Sequence, residues 1–79
     1  MFIAIITTEV QGENNEHGAY ISVVQAKTRG GAIQAVEQGF RKEEGIPNNV
    51  QLNTVVLMSF PSLDKAEDYY NRLMARIEG

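Results

Sequence analysis

The chain has 79 residues, no cysteine and a formal net charge of −3. That length fits one domain, and neither disulfides nor thiolate-bound zinc can reinforce it. The acidic balance argues against general nucleic-acid binding, which needs many phosphate-neutralising cations. No apolar run reaches the length of a membrane span. The opening MFIAIITTEV is too short and lacks the basic start of a signal peptide, so a cytoplasmic protein is expected.

Phe2 to Val10 is β-branched and apolar, with FIAII almost unbroken. A strand apolar on both parities is usually covered on both faces or central in its sheet. QGENNEHG is polar and bounded by Gly12 and Gly18, so it reads as a loop. Ala19 to Lys27 reads as a second strand that closes a hairpin with the first. Thr28 is placed to cap a helix. Ala32, Ile33, Val36, Gly39, Phe40 and Glu43 fall on one side of it at 100° per residue. Gly39 costs about 1 kcal/mol relative to Ala in mid-helix, which predicts close helix-to-sheet packing there. Gly45 ends the helix, with Pro47 just beyond.

Val50, Leu52, Thr54, Val56, Met58 and Phe60 alternate with Gln51, Asn53, Val55, Leu57 and Ser59. This period of two predicts a third strand whose even positions face the core. Ser62 caps a second helix, where Leu63, Ala66, Tyr70, Leu73, Met74 and Ile77 recur at helical spacing. The expected fold class is therefore α+β, a single ββαβα two-layer sandwich over residues 1–79. A right-handed crossover makes the third strand parallel to the second. Pairing the third strand with the first gives sheet order 2-1-3, the most apolar strand central, and both helices on one face.

The segment TRGG, Thr28 to Gly31, joins strand to helix as nucleotide sites often do. It lacks the GxGxxG fingerprint and the GxxxxGK loop. The reading favoured here is a plain helix start, with an anion held near Lys27 and Arg29 as the rival. His17, the one histidine, shares a polar loop with Glu13 and Glu16. Such a set could ligate a divalent metal, but a solvated loop is the favoured reading. No nucleophile–base pair or cleft-bound carboxylate pair is visible, so no enzyme activity, cofactor or metal is expected.

Charge is unevenly placed. Met1 to Ala26 carries Glu9, Glu13 and Glu16 with no base, whereas Lys27, Arg29, Arg41 and Lys42 cluster against Glu37 alone. With Leu63 at zero, Asp64, Glu67, Asp68, Asn71 and Glu78 fall at about 40° to 140° around the second helix. Lys65, Arg72 and Arg76 fall at about 180° to 220°. Asp68 and Arg72 are spaced to pair. Either this is a solvated, self-paired face, or it is an acidic stripe that meets a basic partner. Tyr69 stands at the edge of the apolar stripe as packed core or interface anchor. On the sheet face away from the helices, Val55 and Leu57 join apolar neighbours from the first two strands. That is either scattered surface or an interface, one able to pair two copies.

The strand start MFIAII, the acidic loop GENNEH and the acid-striped helix SLDKAEDYYNRL resemble the small α/β proteins of phages and mobile elements. Among these the chain is most similar to the anti-CRISPR class, in particular inhibitors of type I effector complexes. The resemblance is architectural. It implies a non-enzymatic, DNA-mimicking inhibitor that binds a basic, nucleic-acid-handling subunit of a host complex. Candidate contacts are Glu13, Glu16, Asp64, Glu67, Asp68, Tyr69, Val55 and Leu57. The basic residues Lys27, Arg29, Arg41 and Lys42 depart from a purely acidic mimic. They keep open a nucleic-acid-binding domain, and the sheet face keeps open an oligomerisation or assembly module.

Overall fold

The computed structural model describes residues 1–12 and 18–78. The element order is β1 (Phe2–Val10), β2 (Tyr20–Ala26), α1 (Arg29–Glu44), β3 (Leu52–Ser59) and α2 (Leu63–Glu78). β1 lies in the centre of a three-stranded antiparallel sheet of order β2-β1-β3, as its composition asks. The chain is thus a small α+β fold of ββαβα order.

Both helix starts are fixed by the residues the sequence nominates. The Thr28 hydroxyl accepts from the Gly31 N–H at 3.0 Å, and the Ser62 hydroxyl accepts from the Lys65 N–H at 3.3 Å. Each takes up one of the amide groups a helix start leaves without an internal partner. Gly45 ends α1 in the left-handed region, φ 65°. Its N–H and that of Ile46 both reach the Arg41 carbonyl, a glycine-dependent helix stop that buries Ile46.

The layering departs from the expectation of two helices on one face. α1 packs on a cluster built from Ala4, Ile6, Ala32 and Val36, flanked by Phe2, Val24 and Val56. The β1 members all have even numbers. Yet Ile3 and Ile5, of the opposite parity, are buried as well, Ile5 to 0% exposure. Ala66 of α2 is fully buried but stands outside the α1 cluster. Both helices lie over β1 and β2, and Phe60, which neighbours Ile3 on the odd-numbered face, packs against Tyr69 of α2. α2 therefore covers the odd-numbered face. The two-sided apolarity of FIAII is the cause: each face of the central strand has a helix of its own.

The alternation expected along β3 also breaks. Ile6 pairs with Val56 and Ile5 with Met58, so Leu57 is an extra residue, a β-bulge. Upstream, Thr54 and Val56 face α1 as expected. Downstream, parity is inverted: Met58 sits opposite Ile5 on the α2 face and is 44% exposed. Phe60 follows suit. Its N–H bonds the Ile3 carbonyl at 2.8 Å, and its ring meets Tyr69 of α2 with centroids 5.6 Å apart. The bulge thus turns Phe60 toward the face that α2 covers.

One polar feature crosses the α1 interface. The hydroxyls of Thr8, which is 1% exposed, and Thr54 are 2.7 Å apart, and Thr54 donates to the Glu37 carboxylate at 2.5 Å. With the one Thr54 hydroxyl proton given to Glu37, Thr8 must be the donor to Thr54. The chain ties α1, β3 and β1 together with no buried side-chain polar atom unsatisfied among the described residues.

Candidate functional site

The candidate contacts separate into groups. Asp64, Glu67 and Asp68 are all exposed on α2. Asp68 and Arg72 form the expected pair at 3.0 Å, with both side chains mostly in solvent, worth about 0.2–0.5 kcal/mol. Glu67 lies on the flank of α2 that borders β2, because it lines a cleft with Tyr20, Ile21, Val23, Glu43 and Tyr70. The cleft has a volume of about 470 Å³. Its floor is four consecutive residues of β2, and α1 and α2 supply one wall each. Glu43 at the end of α1 was not nominated from the sequence. Its helical phase alone could not show that it faces an α2 carboxylate across the sheet edge.

Tyr69 belongs elsewhere. It lines a small pocket of about 120 Å³ with Arg72, Leu73 and Arg76, on the opposite flank of α2 from Glu67. On the same sheet face, Val55, Leu57 and Met58 of β3 are 46%, 51% and 44% exposed. Tyr69 therefore stands beside basic side chains, one of which, Arg72, pairs with Asp68, while Val55 and Leu57 are exposed on β3. Glu13 and Glu16 lie outside the described residues, as does His17. Among the described residues no group of three His, Cys, Asp or Glu is arranged to hold a metal ion.

The basic residues do not form one patch. Lys27 and Arg29 stand at the start of α1, Arg41 and Lys42 in its last turn. At 1.5 Å per residue, Arg29 and Arg41 are about 18 Å apart along the axis. Arg41 is also engaged, donating to the Pro47 carbonyl. At TRGG, Thr28 already occupies the Gly31 amide that an anion would use. A Cβ on Gly31 would lie 3.2 Å from the Thr28 hydroxyl oxygen. Gly31 leaves room for the cap.

Among the described residues no strand pairs with the outer edge of β2 or of β3, and the backbone phase of both edges can be read. Gln11 donates to the Gln51 carbonyl and Ile3 accepts from Phe60, so odd residues of β1 bond toward β3 and even ones toward β2. With Ile6 opposite Ser22 and Ala4 opposite Val24, Ser22 and Val24 bond to β1. Ile21 and Val23 then direct their N–H and C=O groups outward, into the cleft. The Ser22 hydroxyl makes a long 3.3 Å contact to the Val23 carbonyl, as an outward carbonyl allows. By the same phase, Leu52, Thr54 and Val56 point outward along β3. No helix of the described chain is long and apolar enough to cross a membrane. Comparison with protein families, curated proteins and solved structures finds no significant match.

Proposed function

We propose that the chain is a non-enzymatic protein-binding inhibitor that uses an acidic surface to occupy a basic, nucleic-acid-handling partner. The observation that supports this most is the cleft in which Glu43 and Glu67 stand on opposite walls with no cation among the lining residues. Asp64 and Asp68 extend the same charge along α2. Carboxylates so placed steer encounter with a cationic surface and set its orientation. The anti-CRISPR resemblance supplies the specific version: a subunit of a type I effector complex whose DNA groove is blocked, in the host cytoplasm.

The test is inhibition of DNA binding by a purified type I effector complex. Reversal of Asp64, Glu67 and Asp68 to Lys together is expected to abolish inhibition, while any one reversal has a small effect because exposed pairs contribute only about 0–1 kcal/mol. Wild-type inhibition by the triple variant would reject the acidic mechanism. A second reading is favoured by the exposure of Val55, Leu57 and Met58 on β3: an assembly module that contacts its partner, or a second copy, through β3. Loss of binding in Leu57→Asp with the triple variant intact would select it.

A further inference from the structure

We infer that the cleft over β2 receives an extended segment of the partner as a fourth strand, and that the segment carries two adjacent basic residues. This deepens the protein-binding reading and rests on it. The floor of the cleft is the outer edge of β2, and two residues along it, Ile21 and Val23, present N–H and C=O groups that no backbone group of the described residues takes up, apart from the long Ser22 contact to the Val23 carbonyl. From Tyr20 to Val23 the floor spans about 10 Å of strand, room for the core of a short extended segment. Main-chain bonds to such an edge give affinity without regard to sequence, and side-chain contacts give selectivity.

The selectivity follows from the walls. Successive side chains of a strand project to opposite faces. α1 and α2 lie on opposite faces of this sheet, so Glu43 and Glu67 flank the edge from either side. Two consecutive lysines or arginines on an added strand would point one to each carboxylate. Tyr20 and Tyr70 line the same space and supply apolar contact for the stems of those side chains. An acidic segment would meet like charge on both sides. The β3 edge differs: Gly45 to Leu63 carry no charge of their own, and the α1 carboxylate beside that edge, Glu37, is already engaged by Thr54.

The experiment uses the whole chain and two fluorescent hexapeptides, Val-Thr-Lys-Lys-Val-Thr and its Glu-Glu counterpart, with binding read by anisotropy and amide exchange read by NMR. The lysine peptide is expected to bind saturably, to weaken with added salt, and to slow exchange at the Ile21 and Val23 amides. The glutamate peptide is expected not to bind. The variant Glu43→Lys with Glu67→Lys changes two exposed side chains and is expected to weaken the lysine peptide about tenfold or more, since like charge then lines both walls. Absence of saturable binding overturns the proposal. So does undiminished binding to the double variant, or protection at Leu52, Thr54 and Val56 in place of the β2 amides. A host protein captured by the chain while the β2 amides stay unprotected would leave the protein-binding reading standing and sink strand addition alone.

Discussion

Gly39→Ala is expected to stabilise the protein. Gly39 lies in the middle of α1, half-buried, facing β2. From sequence, a glycine there implies that helix and sheet approach too closely for a side chain. The geometry says otherwise: a Cβ built at Gly39 meets only the Tyr20 hydroxyl oxygen, at 3.8 Å, an ordinary van der Waals separation. Nothing must move to admit a methyl group. What remains is the backbone term, about 1 kcal/mol in favour of Ala within a helix. For a domain of this size 1 kcal/mol shifts the midpoint of thermal unfolding by about 4–8 °C. Melts followed by circular dichroism, with urea titrations at unchanged m-value, measure it. A midpoint at or below wild type would show that α1 sits closer to β2 than these distances say, and that the sequence-based reason for Gly39 was right after all.

Other perturbations test other joints. Thr28→Ala removes the α1 cap and is expected to cost about 1 kcal/mol, measured by the same melts. Thr54→Val leaves Thr8 and Glu37 without their shared partner and is expected to cost about 1–3 kcal/mol. A double-mutant cycle with Glu37→Gln is expected to show coupling, and strictly additive losses would refute the chain of hydroxyls. Ile5→Ala is expected to cost about 2–5 kcal/mol, as for any buried core residue. A loss below 1 kcal/mol would mean that α2 does not cover that face.

Much of the fold was legible because local chemistry and burial agreed. Thr28, Ser62 and Gly45 mark the helix limits by chemistry that acts within a few residues. FIAII announced the central strand by composition. The layer assignment was not legible, although its cause was in view: Ile3 and Ile5 asked for a cover, but which helix would provide it depends on the path between β3 and α2. That path depends in turn on the bulge at Leu57, which no alternation pattern reveals, because Val56, Leu57 and Met58 are apolar in either register. At the candidate site, the sequence found Glu67 and Asp68 but grouped Tyr69 with them. It could not find Glu43, whose relation to Glu67 exists only across the edge of β2.

The extra residue in β3 also bears on how such a chain could change over time. Deleting Leu57 would restore strict alternation and still leave Met58 opposite Ile5 and Phe60 beside Ile3, on the α2 side. Phe60 would keep Tyr69 as its neighbour, and the last helix would leave the sheet from the same face. Insertions and deletions in proteins are usually tolerated in loops because they leave the layers alone. Here a bulge absorbs a length change of one codon inside a strand, and Ile3 and Ile5 keep their cover. Between related chains, gain or loss of that single residue would leave the same layers, with or without a bulge in β3.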